Sequence, residues 1–227
     1  MNSTVNVEKI IIADDHPLFR SALVQALKSI MSEVTFLEAA NISELEQVLI
    51  KNTDADLLLM DLHMPGANGF VGLTHIIKNY SQLPVMMISA NEDLEIAASA
   101  QHYGALGFIP KSASISEISE AIEKILMGEL CFPAGMVTHH LNSENELECL
   151  INKIAELTPK QLEVFNLLSV GLLNKQIAWE QQVTEATVKA HVTAIMRKLN
   201  VNNRTQIVLI ANKVKVDENY GKSSDEV

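Results

Sequence analysis

Cysteine is almost missing from this chain: Cys131 and Cys149 are the only two in 227 residues. They lie far apart, with no CxxC and no matching histidine spacing. That argues against a disulfide framework and against a structural zinc site, and two reduced thiols are expected. Long apolar runs are missing too, so no segment reads as a bilayer span. No basic-then-apolar signal segment opens the chain; Met1-Asn2-Ser3-Thr4 is a polar lead-in. A cytoplasmic location with no membrane partner is expected. Positive charge is scarce overall, at a net −11.

What is present is unevenly placed. Apolar residues make up 48 %, enough for packed cores, and the length favours two domains. Residues 1–130 carry a net charge of −10, whereas residues 158–215 carry +5. A basic segment in an acidic chain points to a polyanion partner for that segment alone.

The first part alternates strand and helix signals. Strands are predicted at Lys9–Asp14, Val34–Glu38, Leu57–Asp61, Val85–Ser89 and Gly107–Pro110. Helices are predicted at Pro17–Ser29, Ser43–Lys51, Gly69–Tyr80, Asp93–Tyr103 and from Ser114 to about Met127. Asn41 with Glu44, and Ser114 with Glu117, stand at capping-box spacing, and Gly128 is a helix stop. Five strands alternating with five helices predict an α/β fold with a five-stranded, doubly wound parallel sheet.

Residues 129–153 read as a linker, with Pro133, Gly135 and a polar run from Asn142, and with a short helix possible from Glu146 to Ile154. The pair His139-His140 reads as a solvated loop. From Thr158 the pattern is all helical. Helices are predicted from Thr158 to about Val170, at Asn174–Gln181, at Glu185–Leu199 and from about Arg204 to Val214. The pattern gives a second, all-α domain over 154–215. Residues 216–227 read as a disordered acidic tail.

Three polar positions follow short apolar runs. Asp14-Asp15 follow Ile10–Ala13, Asp61 follows Leu57–Met60, and Lys111 follows Gly107–Pro110. In an open parallel sheet the carboxyl ends of the strands share one edge, where ligands bind. Three carboxylates and one ammonium there suit a divalent cation and a phosphoryl group. Forming an acyl phosphate needs a nucleophilic carboxylate and a hard cation. Asp61 is the expected nucleophile. Asp15 would ligate Mg2+ directly, Asp14 mostly through water, and Asp61 and the backbone carbonyl of His63 would complete the protein ligands. Lys111 would pair with a phosphoryl oxygen and Ser89 would donate a hydrogen bond to it. His16, His63 and His75 read as ordinary surface or loop histidines, with His63 contributing only its main chain.

These residues carry a family resemblance. Asp14-Asp15-His16-Pro17-Leu18-Phe19-Arg20, Met60-Asp61-Leu62-His63-Met64-Pro65-Gly66, Ser89-Ala90 and Gly107-Phe108-Ile109-Pro110-Lys111 together resemble the receiver domain of bacterial two-component response regulators, over residues 8–128. The resemblance implies a flavodoxin-like receiver, magnesium, and phosphorylation of Asp61 by a sensor histidine kinase. It places Phe108, with Ser89, at the switch position, where the family often has Tyr.

The segment Leu157–Val214 resembles the LuxR-type helix-turn-helix of the NarL/FixJ response regulators. The residues that carry it include Leu157-Thr158-Pro159, Asn174-Lys175-Gln176-Ile177-Ala178 and Val183-Thr184-Glu185-Ala186-Thr187-Val188-Lys189. Along Glu185–Leu199, Val188, Val192, Ile195 and Leu199 fall at helical spacing and should face a core. Lys189, Ala190, Thr193 and Arg197 fall on the opposite face, small, polar and basic enough for a major groove. Lys189, Ala190 and Thr193 are candidates for base contacts. Lys175, Thr187, Lys198 and Arg204 are candidates for phosphates, which fix register without reading sequence. Trp179 stands where relatives are often polar or basic and is a candidate to cover a packing gap beside Gln181.

The reading is a response regulator, not an enzyme: phosphorylation of Asp61 controls sequence-specific binding to double-stranded promoter DNA. A homodimer of the phosphorylated form, paired through the last helix, is expected, with RNA polymerase a further candidate partner. The rivals are a magnesium-dependent phosphatase, for which no separate substrate pocket or general base is visible, and an adaptor that never uses Asp61.

Overall fold

The structure is a computed structural model that describes residues 7–136 and 146–217. The lead-in, the His139-His140 pair, most of the polar run from Asn142 and the tail beyond Asp217 lie outside the described residues.

The chain divides into two compact units, residues 1–140 and 141–227. The first contains β1 (Lys9–Ala13), β2 (Thr35–Ala39), β3 (Leu57–Asp61), β4 (Val85–Ser89) and β5 (Gly107–Pro110). They alternate with α1 (Pro17–Ile30), α2 (Ile42–Lys51), α3 (Phe70–Asn79), α4 (Leu94–His102) and α5 (Ile115–Leu126). All neighbouring strands pair in parallel, in the order β2-β1-β3-β4-β5. This is the flavodoxin-like doubly wound sheet. The strand order reverses between β1 and β3, and the ligand crevice of such a sheet opens at that point.

β1, β3 and β4 are largely apolar on both faces because helices cover both. Alternation distributes their side chains between two cores. Ile11, Leu58, Met60, Val85, Met87 and Phe108 belong to one, beside α2, α3 and α4 residues. Ile10, Ile12, Leu57, Leu59, Met86 and Ile88 belong to the other, beside α1 and α5.

Register converts this packing into a site. Ala13 pairs with Met60, so the next residues, Asp14 and Asp61, end side by side. Ser89 pairs with Pro110, which brings Lys111 to the same edge. β1 ends one residue before the predicted Asp14, because the Asp14 carboxylate accepts the His16 N–H at 2.7 Å and turns the chain. Full capping boxes form at Ser114 and Thr158, but at Asn41 only half forms: its side chain accepts the Glu44 N–H, while Glu44 accepts the N–H of Ala40. Ser114 and Thr158 each accept the N–H three residues on, and Glu117 and Gln161 reach back.

The loop after Asp61 needs unusual backbone. Gly69, the N-cap of α3, adopts φ 58 and ψ −124, which a side chain would forbid. At Gly72 the obstacle is space: a Cβ would lie 2.8 Å from the Ala67 carbonyl oxygen and Cβ. Gly72→Ala is expected to destabilise the first unit by about 1–3 kcal/mol, the usual cost of forcing an atom into a packed site. Urea unfolding monitored by circular dichroism measures it.

The second unit contains α6 (Glu146–Ala155), α7 (Pro159–Ser169), α8 (Asn174–Glu180), α9 (Glu185–Leu199) and α10 (Arg204–Asp217). Phe165, Leu168, Ile177, Val188, Ile195 and Ile207 are buried at its centre. Asn200 takes the left-handed conformation at the end of α9, with φ 57. α10 runs past the predicted Val214, since nothing in Lys215-Val216-Asp217 stops a helix.

The expected linker over 129–153 is shorter than the sequence suggests at both ends. Cys131 returns to the sheet beside Gly107: its N–H donates to the Leu106 carbonyl at 3.0 Å, and its carbonyl accepts the Phe108 N–H at 2.8 Å. At the other end, α6 buries Ile151 and Ile154 and packs on α9 and α10. Apolar spacing at Cys149-Leu150-Ile151 and Ile154-Ala155 carries that helix into the second unit.

Candidate functional site

At the sheet edge Asp14 is fully buried and Asp61 is 1 % exposed. Lys111 Nζ stands 2.7 Å from Asp14 Oδ2 and 3.1 Å from Asp61 Oδ2. It also lies 5.0 Å from the centre of the Phe19 ring. Asp15 is half-buried beside them. Burial pushes the Asp61 carboxyl above the usual carboxylate range, and the Asp14 charge pushes the same way; Lys111 and the backbone N–H of His63 oppose both. Two carboxylates and one cation, largely out of water, leave excess negative charge. A divalent ion would relieve it, and oxygen donors are the set that magnesium prefers.

Ser89 is fully buried at the end of β4, and its Oγ accepts the Asn91 N–H at 3.1 Å. Its carbonyl accepts the Lys111 N–H at 2.7 Å. Ser89 therefore sits on the same edge as Lys111. Phe108 is 3 % exposed and packs in the core that α4 residues share.

Two histidines differ from the sequence reading. His75 is not a surface residue: it is fully buried on α3, with Nε2 2.8 Å from Glu46 Oε1 on α2. A polar residue on the apolar stripe of each helix was the only available signal, and it does not reveal the pairing. His16 is an exposed loop residue, but its ring touches the acidic edge, with Nδ1 2.7 Å from Asp15 Oδ1. His63 is exposed as a side chain and reaches Asp61 through its backbone N–H.

In the helical unit, Val188, Val192, Ile195 and Leu199 of α9 are buried. Lys189, Ala190, Thr193 and Arg197 are exposed on the other face, with Lys175 and Thr187 also exposed. The Thr193 hydroxyl donates to the Lys189 carbonyl at 2.9 Å, which commits its proton to the helix. The Thr187 and Thr184 hydroxyls lie 2.9 Å apart at the N-cap.

Two candidates for phosphate contacts also hydrogen-bond to carbonyls within their own unit. Lys198 Nζ donates to the Glu156 carbonyl at 2.6 Å. Arg204 donates to the Leu172 carbonyl, and at 3.1 Å to Asn174 Oδ1. Both cations satisfy carbonyls at helix ends, a demand that local spacing does not display. Arg204→Ala is expected to cost about 1.5–3 kcal/mol, the worth of hydrogen bonds to a charged group. Denaturant unfolding of the second unit checks it. Trp179 covers no gap: it is 87 % exposed.

Among the described residues, no helix is long and apolar enough to cross a membrane. The family model described as response regulator receiver domain matches residues 10–123, and that described as bacterial regulatory proteins, luxR family, matches residues 155–211. The glycerol metabolism activator of Pseudomonas putida is 38 % identical, over 91 % of this chain and 96 % of its own length. The transcriptional regulatory protein LnrK of Bacillus subtilis is 32 % identical, over 88 % of this chain and 94 % of its own length. A solved RcsB response regulator from Salmonella typhimurium shares the fold, with a TM-score of 0.53 at 23 % identity, over 92 % of this chain and 99 % of that one. A receiver unit with its carboxylates at the switch point, followed by a helix-turn-helix unit, is thus matched along nearly the whole chain: it belongs to the two-component response regulators of the NarL/FixJ type, DNA-binding regulators of transcription rather than enzymes.

Proposed function

We propose that Asp61 accepts a phosphoryl group from a sensor histidine kinase, and that this controls how the helical unit binds promoter DNA. The observation that carries the reading is the Lys111 ammonium, 3.1 Å from Asp61 and 2.7 Å from Asp14, at the carboxyl end of β3. In the transfer an Asp61 oxygen forms the new O–P bond as the donor's N–P bond breaks, and the bonding pair stays with the donor imidazole. Asp14, Asp15, Asp61 and the His63 carbonyl are the residues that would hold Mg2+, which when bound neutralises the phosphoryl oxygens. Lys111 is placed to exchange its Asp61 partner for a phosphoryl oxygen. The Ser89 hydroxyl would leave Asn91 to donate to another. Phe108 lies on the adjacent strand, and its repacking would carry the change towards the face of α4, β5 and α5.

The DNA surface is the exposed face of α9. Lys189, Ala190 and Thr193 would reach base edges, with Thr193 offering its methyl group while its hydroxyl stays on the helix. Lys175, Thr187 and Arg197 would bind phosphates. Leu209 on α10 is 62 % exposed and would be covered in a homodimer of the phosphorylated protein. RNA polymerase is the natural further partner of a promoter-bound regulator. The location would be cytoplasmic.

The direct test uses the full chain with a purified kinase or acetyl phosphate. With Mg2+, peptide mass mapping should find one phosphoryl group, on Asp61. With excess chelator the labelling should fall to background. A phosphoryl group on another residue would refute the assignment.

A further inference from the structure

Trp179 is the only tryptophan in the chain, and it is 87 % exposed on α8. Neither the fold nor the acidic edge uses it. Its indole N–H donates to no group among the described residues. A broad apolar ring with one polar tip suits an interface, where the ring is covered and the tip finds an acceptor.

The surroundings of the ring show what covers it. Trp179 lines a groove of about 970 Å³ between α8 and the start of α9, together with Lys175, Gln182, Val183 and Glu185. Lys175 and Trp179 stand four residues apart on α8 and share a face. Glu185, Lys189 and Thr193 follow one another at the same spacing on α9, and all three are exposed. The groove thus joins the α8 face that carries a phosphate candidate to the α9 face that reads DNA. It is continuous with the DNA surface of the helical unit. In a helix-turn-helix the first helix crosses the sugar-phosphate backbone and the second lies in the major groove, so a strand passes over the junction of the two.

We propose that Trp179 is a DNA contact: its ring packs on a deoxyribose of the strand that Lys175 grips, and its N–H donates to the adjoining phosphate. The inference rests on the reading of α9 as the recognition helix. Charge decides the kind of contact. Glu180 and Glu185 are exposed on the groove against a single lysine, so the groove is no phosphate cradle. The sugar is uncharged and partly apolar, and it is the part of the strand that can seat on the ring. A cation at this position would bind by releasing counterions, and its contribution would fade with salt. The indole releases none. Its grip is insensitive to salt, and also to sequence, because every nucleotide presents the same sugar.

A single tryptophan makes the test direct. The full chain, with beryllofluoride and Mg2+, is titrated with an operator duplex selected from random sequence. Indole emission is excited at the red edge, where tyrosine and DNA do not absorb. Quenching by acrylamide should fall as the duplex binds. Affinity is read separately, from the anisotropy of labelled specific and random duplexes at several salt concentrations. Trp179 is exposed and fills no core, so Trp179→Ala and Trp179→Arg should both fold. Trp179→Ala should weaken specific and random duplexes alike, by about fivefold or more, the scale of an interfacial tryptophan. Its salt dependence should match that of the natural chain, whereas Trp179→Arg should recover part of the loss and add about one ion to the salt dependence. Unchanged quenching together with unchanged affinity of Trp179→Ala would overturn the contact and leave the groove to a protein partner. A loss confined to the specific duplex would overturn the sugar contact in favour of base reading. If Lys189→Ala also binds as the natural chain does, the reading of α9 is itself wrong.

Discussion

Asp61→Asn is expected to accept no phosphoryl group and, at the same time, to make the receiver unit more stable. The first effect follows from chemistry: a carboxamide is no nucleophile at phosphorus, and no other carboxylate shares the position of Asp61 between Lys111 and the His63 N–H. The second follows from electrostatics. Burial and the Asp14 charge hold the Asp61 carboxyl above its ordinary range, so the folded protein binds that proton more tightly than the unfolded chain does. Stability contributed by this group is therefore largest at acidic pH and is lost as pH rises through the folded-state value. At neutral pH the ionised Asp61 is a net burden, even with Lys111 beside it. The amide removes the burden and keeps the shape. Thermal unfolding should show a midpoint raised by a few degrees at neutral pH, with the gain shrinking towards acid. The same scan with Mg2+ should raise the midpoint of the natural chain and leave Asp61→Asn nearly unmoved, because the variant lacks one of the carboxylates that would hold the ion. A variant less stable than the natural chain at neutral pH would mean that the Lys111 pair outweighs the burial of charge.

Lys189→Ala is expected to weaken specific DNA binding by roughly tenfold to a hundredfold, the range for a side chain that reads a base. The lysine is exposed on α9, one residue after the buried Val188, so its loss leaves the core untouched. The comparison with Lys175→Ala separates reading from gripping. Lys175 stands in the first turn of α8, where helices of this kind cross the phosphate backbone. Its loss should weaken all sequences alike and reduce the salt dependence by about one ion. Lys189→Ala should instead narrow the gap between specific and random DNA. Titration of both variants at several salt concentrations, on specific and random duplexes, separates the two patterns.

The parts that sequence alone revealed are those that depend on local chemistry. Apolar runs of four or five residues ending in Asp14, Asp61 and Ser89 mark strand ends. Ser114 with Glu117 and Thr158 with Gln161 mark helix starts, because the cap satisfies N–H groups three residues away. The alternation of strands and helices then leaves a parallel sheet as the economical fold, and the acidic edge follows from it. What stayed hidden depends on partners far along the chain. His75 meets Glu46, 29 residues earlier, only after α2 and α3 pack. Arg204 and Lys198 look like free cations until carbonyls of Leu172 and Glu156 reach them. Cys131 looks like linker until it pairs with β5. His16 looked ordinary for another reason: its contact with Asp15 depends on the direction of one ring, which no spacing encodes.

Cys131 also bears on the packing of β5. The Phe108 N–H donates to the Cys131 carbonyl at 2.8 Å, so β5 is bonded to the segment that follows α5. Gly107 leaves no room there: a Cβ would lie 2.6 Å from Ile125 Cδ1 and 2.9 Å from the Cys131 carbonyl.

The central claim is that an anion on Asp61 changes the hold of the second unit on DNA. The decisive measurement is the affinity of the full chain for a selected operator, with and without beryllofluoride and Mg2+, beside Asp61→Asn under the same conditions. The account predicts tighter binding of the natural chain in the presence of the phosphoryl analogue and no response in the variant. Equal affinity in all four cases, or an equal response from Asp61→Asn, would contradict it.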